Sequence, residues 1–370
     1  MFHALPARRL RTGLMLAGAL SAVPVLLASN VAAASPTINH HGSKTAVTAT
    51  NLVSDVPGRA PLIDPALVNP WGLALSPTSP LWAADNGSDS ATLYAGGRGG
   101  ATPTKVPLDV PIAGGAPTGT VFNDTDQFVV KGSGGSAPAR FIFSSEAGLI
   151  TAWDPGATPN GAVPVARVRG AIFKSLALWH TRFGPILLAA DFHHGKILAF
   201  NRKFHQIHLP KGAFTDRRVP KGFSPFNIAV LHNSVYVTYA KQDADREDDV
   251  AGRGLGFVDR FFAFGLLHQR VASRGTLNAP WGLTIAPPGF GRLTGKLLVG
   301  NFGDGRISVF DRHTNHFRGV LRDSNHKPIS IEGLWALLPG TATTGGTNVI
   351  WFSAGPDDES HGLLGQLSVR

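Results

Sequence analysis

Short apolar runs, each closed by Gly, Pro, Asn or Asp, recur from about residue 45 to the end of this chain. One set opens each unit: NPWGLAL from Asn69, GAPTGTVF from Gly115, KSLALW from Lys174, SPFNIAV from Ser224, NAPWGLTI from Asn278 and EGLWALL from Glu332. A second run, a polar turn and a third run follow each time, as in LLAADFHHGKILAFN from Leu187 and LLVGNFGDGRISVFD from Leu297. The runs are rich in Val, Ile, Leu and aromatic residues, which favours strands joined by tight turns. A helix needs unbroken stretches of about 10–12 residues at a 3.6-residue spacing, and the turns interrupt too often.

The six units recur every 46 to 62 residues by the numbering. HFRGVLRD from His316 and LLHQRVAS from Leu266 read as fourth strands. Four strands per unit and six units predict an all-β fold, a six-bladed β-propeller with four-stranded blades. A β-sandwich would explain the strands but not the repeated three-run grammar. The last unit supplies only three strands before Arg370, and TAVTATNLVSD (Thr45–Asp55) has no blade of its own. This N-terminal strand is therefore predicted to close the last blade and cover its open edge. Residues 45–370 then form a single propeller.

Several of these stretches together resemble a known family. NLVSD, NPWGLALSP, LWAADNGS, YAKQDADREDDVAG, NAPWGLTIAP, LLVGNFGDGRISVFD and GLWALLPG are similar to an uncharacterised family of exported bacterial proteins, over about residues 50 to 367. The resemblance implies an NHL-like six-bladed propeller. Some members of that family end in a PEP-CTERM sorting tail, and this chain lacks one. More distantly, PWGLTIAP and LLVGNFGDGRISVFD are similar to gluconolactonase-like propellers, where an axial divalent metal serves lactone hydrolysis. No catalytic set of that group maps onto this sequence.

Composition adds compartment and partner. Arg8, Arg9 and Arg11, the apolar run Leu14–Ala28 and the small residues Ala32–Ala34 form a secretory signal pattern over residues 1–34. Residues 35–44 read as a disordered linker. Removing the leader takes the count from 34 basic residues against 24 acidic to 31 against 24, a net charge of +7. A released, exported monomer is predicted, periplasmic or extracellular, with no transmembrane segment in the mature chain. An anionic extracellular or envelope polymer suits the charge as a partner. The bases are scattered without an aromatic platform, so nucleic acid is not expected. The chain has no cysteine, which excludes disulfides, thiolate metal sites and Cys nucleophiles.

Propeller geometry selects the candidate site. The first strand of each blade lines the axis, and its entry opens on the same face as the exit of the second strand. Entries give Asn69, Asn227, Asn278 and Glu332; exits give Asp85, Asp191, His193, Asn301 and Asp304, with Asn86, Glu146, Asp357, Asp358 and Glu359 beside them. The largest exit loop gathers five acids within seven residues, Asp243, Asp245, Glu247, Asp248 and Asp249. Three readings compete for it. One is a solvated loop. Another is a site for Ca²⁺ or another divalent cation on Asp243, Asp245, Glu247 and Asp249. The third is anchoring by Lys241, Arg246, Arg253 and Arg260. Asn301–Asp304 also reads as a β-turn, and Trp71, Trp281 and Trp335 as core wedges between blades. No nucleophile elbow, HExxH, phosphate loop or dinucleotide fingerprint occurs. The expected function is binding of a ligand or partner at a polar axial face; the alternative is a metal-dependent hydrolase or lyase of lactonase type.

Overall fold

A computed structural model describes residues 45–262 and 265–369. The expected signal peptide, the linker and Arg370 lie outside the described residues. Six antiparallel sheets follow one another along the chain. Their inner strands are Pro70–Ala74, Pro117–Phe122, Phe173–Thr181, Phe223–Leu231, Pro280–Ile285 and Leu334–Pro339, hereafter those of blades 1 to 6. Each inner strand packs against that of the next blade, and the sixth packs against the first, so the ring is closed. The fold is a six-bladed β-propeller. No helix among the described residues is long and apolar enough to cross a membrane.

Ring closure follows the sequence expectation. Val47–Ser54 pairs antiparallel with Leu363–Val369 in the last sheet, from Val47 opposite Val369 to Ser54 opposite Leu363. The fourth strands read from LLHQRVAS and HFRGVLRD are Leu267–Ser273 and Phe317–Val320. Blade 2 also carries a hairpin, Val129–Gly132 with Gly135–Pro138, that was not anticipated. Its short, Gly-rich strands lack the apolar density of the main runs, although Phe128 and Val130 bury against blade 3.

Small residues set how closely the blades meet. A Cβ on Gly72 would lie 2.6 Å from the Thr118 carbonyl oxygen, on Gly119 2.3 Å from the Leu176 nitrogen, and on Gly282 2.8 Å from the Trp335 carbonyl oxygen. Backbone meets backbone at the axis, and only glycine permits it. A tryptophan stands one position before Gly72 and Gly282, and Trp335 holds the same place before Ala336. Trp71, Trp281 and Trp335 are buried, as core residues should be, but they converge on one another instead of separating neighbouring blades. Trp71 stacks on Trp335 at 3.7 Å between ring centroids, and Trp281 meets both edge-on. Phe302 stacks on the other side of Trp335, and Phe226 lies 6.0 Å from it. Because blades 1, 4, 5 and 6 all contribute, this aromatic cluster closes the axis.

Candidate functional site

One hydrogen bond repeats six times around the axis. The residue after each second strand donates its N–H to the carbonyl of the residue before the inner strand: Asn86 to Asn69, Glu146 to Ala116, Phe192 to Ile172, Gln242 to Gly222, Phe302 to Ala279 and Gly355 to Gly333. These bonds fix six side-chain positions, Asn86, Glu146, Phe192, Gln242, Phe302 and Gly355, on the entry face. Two residues after each accepting carbonyl come Trp71, Thr118, Lys174, Ser224, Trp281 and Trp335. Lys174 is the one cation in a ring of otherwise aromatic or small residues.

Lys174 is 1% exposed, and its Nζ lies 2.5 Å from Glu146 Oε1 and 3.0 Å from Asp248 Oδ1. The ammonium also stands 5.0 Å from the Trp71 ring centre and 5.9 Å from that of Phe192. Burial works to lower its pKa, but the charges of Glu146 and Asp248 win and hold it above the usual lysine range. The network continues through amides. Asn86 Nδ2 donates to Glu146 Oε2 (3.0 Å), and Asn69 Nδ2 donates to Asn86 Oδ1 (3.4 Å) and to Glu359 Oε2 (2.7 Å). Asn69 Oδ1 accepts from Trp335 Nε1 at 2.9 Å. Blades 1, 2, 3, 4 and 6 are thus tied together across one mouth. Asp249 adds a buried Oδ2 without a hydrogen-bond partner. Burial pushes its pKa up to about 7 against the pull of Lys174, with Glu359 and Asp248 adding to the rise.

The residues expected from sequence divide into two groups. Asn69 belongs to the mouth network. Asn278 Oδ1 accepts from Gly252 N–H and so anchors the long acidic loop. Within that loop Asp243 Oδ1 accepts from Glu247 N–H, and Asp243 N–H donates to the Asp248 carbonyl, which makes a closed turn. Anchoring by Lys241, Arg246, Arg253 and Arg260 was one of the three readings of this loop; its Asp248 pairs with Lys174 of another blade. Glu332 is exposed and accepts from Asp357 N–H. The others turn away from the mouth. Asp85 is buried inside blade 1, accepting from Thr92 N–H, and burial raises its pKa. Asp191 accepts from both Nδ1 and N–H of His194. Phe192 faces the axis in place of His193, because adjacent strand residues point to opposite sides. Asn301 donates to the Thr276 carbonyl and to Asp304, whose carboxylate also accepts from Arg306 N–H; this is a turn. Asn227 accepts from Ser175 Oγ and donates to the Trp281 carbonyl at the level of the aromatic cluster. Among the described residues, no three His, Asp or Glu side chains converge as a metal cluster.

Behind the aromatic cluster the axis opens again. A funnel of about 340 Å³ is lined by the later halves of all six inner strands, including Leu73, Val121, Leu176, Val230 and Leu337, with Asn227 and Trp281 at its floor. All six strands run the same way, so this funnel opens on the face opposite the acids. Each inner strand is the terminal strand of its sheet. Its outer edge of N–H and C=O groups therefore faces the funnel. At the rim His180 Nε2 lies 2.9 Å from Asp124 Oδ1. Sequence reasoning missed Lys174, the Asp124–His180 pair and the funnel. A signal for Lys174 existed: a charged residue at the repeat position that elsewhere carries tryptophan.

No protein-family model matches the chain. It is 31% identical over 343 residues to the uncharacterized protein R648 of Acanthamoeba polyphaga mimivirus, covering 90% of this chain and 83% of that one. It is 29% identical over 352 residues to the uncharacterized protein L690 of the same virus, covering 92% and 91%. A solved structure from Bacteroides thetaiotaomicron, a protein of unknown function, shares the fold at a TM-score of 0.52 and 12% identity, covering 88% of this chain and 76% of that one. The sequence relatives are viral, whereas the sequence resemblance pointed to exported bacterial proteins. At this identity and coverage, the chain belongs to the family of the uncharacterized mimivirus protein R648.

Proposed function

We propose that the chain is a ligand-binding module whose ligand enters the axis through the funnel. The division of the axis carries this reading. On the entry face the polar groups around Lys174 are taken up by one another, apart from Asp249 Oδ2. On the opposite face lies a concave space within the usual range for small-molecule sites. Its wall alternates strand-edge N–H and C=O groups with Leu and Val side chains. Such a wall suits a neutral ligand with hydrogen-bonding groups on an apolar body. A glycan of an extracellular or envelope polymer has that chemistry, and export of the chain would bring the two together. Neutral alkyl glycosides are the probes for a saturation-transfer NMR screen. At least one should bind the parent chain, and Val230→Trp, which narrows the funnel, should lose it while keeping the parent circular dichroism spectrum. Binding by none of the panel, or undiminished binding to Val230→Trp, would sink the reading.

A divalent cation at the mouth is a second reading, favoured by the unpartnered Oδ2 of Asp249 beside Asp248 and Glu359. Glu146 and Asp248 weigh against it, because the Lys174 ammonium already holds the place a cation would take. The lactonase-like alternative depends on the same cation. Chelation of the purified protein should leave its melting temperature within about 2 °C, since a site without bound metal has no linked stability to lose. A larger fall that Ca²⁺ restores would establish the cation instead.

A further inference from the structure

We propose an anion site on the funnel face between blades 4 and 5, where Arg260 and Arg312 take the phosphate or sulfate group of an ester. This inference is independent of the funnel reading. In blade 4 the turn at His232 and Asn233 follows the inner strand, and the third strand, Gly256–Phe261, ends beside it. In blade 5 the third strand, Ile307–Phe310, leads into the turn that holds Arg312 and His313. Strand direction alternates within each sheet, so these turns share the face on which the funnel opens.

Both arginines are half-buried, and their contacts leave their charge uncompensated. Arg260 Nη1 donates to the Arg312 carbonyl at 3.5 Å, which joins the two blades at this point. Arg312 Nη1 donates to His232 Nδ1 and Nη2 to His313 Nε2 (3.4 Å), so both imidazoles accept there as neutral rings. The Nε of each arginine is buried without a hydrogen-bond partner. Among the described residues, no Asp or Glu lies within ion-pair distance of either guanidinium; Asp311 is taken by Lys296 (2.7 Å) and Arg318 (3.6 Å), and Asp259 by Arg270. Burial, and then the charge of Arg260, holds the His268 pKa below the usual range. Two guanidiniums at one junction repel each other, and an anion between them removes that cost. A tetrahedral oxyanion can accept from two forks that arrive from different strands, whereas a carboxylate matches one. Phe262, 48% exposed, has its ring centre 6.0 Å from the Arg260 guanidinium and 3.8 Å from that of His268. It offers a face to the aromatic or sugar ring that carries the ester.

Inorganic phosphate and phenyl phosphate are the probes, titrated calorimetrically into the full chain at constant ionic strength. Each should fill one saturable site, and phenyl phosphate should displace inorganic phosphate. Arg260→Gln and Arg312→Gln, each with the parent circular dichroism spectrum, should weaken both probes about tenfold, the loss expected of one charge-assisted contact. Phe262→Ala, an exposed change, should weaken phenyl phosphate about threefold or more and leave inorganic phosphate unchanged. Arg318→Gln, whose guanidinium serves Asp311, should alter neither. Absence of saturable binding overturns the proposal. So does equal weakening by Arg318→Gln and Arg260→Gln, which would make the binding a response to net charge. Indifference of phenyl phosphate to Phe262→Ala overturns the ester and assigns the site to the free ion.

Discussion

At the scale of single residues, the mouth depends on an internal cation. Lys174 pairs with both Glu146 and Asp248 where blades 2, 3 and 4 converge, and its ammonium is itself buried beside the Trp71 ring. Asp249 stands in the same place without a compensating bond at Oδ2. In the unfolded chain its carboxyl ionises near pH 4. In the fold it keeps its proton up to about pH 7. The native state therefore binds the extra proton between these values, and stability falls as pH rises across that window. Asp249→Asn cannot ionise. It should match the parent at pH 4 and exceed its stability above pH 7 by roughly 2–4 kcal/mol. Urea denaturation at both pH values reads the effect; the same gain at pH 4 and pH 8 would show that the charge of Asp249 is not the cause.

At the scale of the strand and the blade, the spacing of inner strands is set by glycine. Gly119→Ala places a methyl against the backbone nitrogen of Leu176, which cannot move without parting two blades. A loss of about 3 kcal/mol is expected, at the upper end for an overpacked core. Gly156→Ala, whose new Cβ would meet nothing closer than Asp154 Oδ1 at 3.4 Å, should stay within about 0.5 kcal/mol. Similar losses at both positions would mean that close approach of the inner strands is not what requires Gly119. The blades themselves were legible in the sequence, because strand signals are local: Leu187–Phe200 already shows two apolar runs and the turn between them. The mouth was legible only in part. Asn69 and Asp248 were marked by their place in the repeat, but KSLALW reads as an ordinary strand opening. The bonds of Lys174 cross three blades, and nothing local announces them. His193 and Asp191 were misplaced for another reason: whether an exit residue faces the axis depends on the phase of one strand, and Phe192 takes that direction.

At the scale of the whole molecule, a ring must be closed by residues far apart in sequence, and here the clasp is one strand. Val47–Ser54 covers the edge of Leu363–Val369 and buries Val47, Leu52 and Val53. Each such side chain contributes roughly 1.5–3 kcal/mol when fully buried. Losing the three together approaches the roughly 5–15 kcal/mol that holds a typical domain folded. The exposed partner strand would also become a template for pairing with other chains. A chain beginning at Asp55 should accordingly be unfolded or aggregated at room temperature, judged by circular dichroism and light scattering. A synthetic peptide spanning residues 45–54 should restore the native spectrum, because it can occupy the vacant edge in the same register. The restored species should regain the Asp55 contact with His361, whose Nδ1 lies 2.7 Å from the carboxylate beside the clasp. A truncated chain that melts with the parent would show that the ring is held by its blade-to-blade contacts alone. The aromatic cluster at the axis, where Trp71 of the first blade stacks on Trp335 of the last, would then be the true closure.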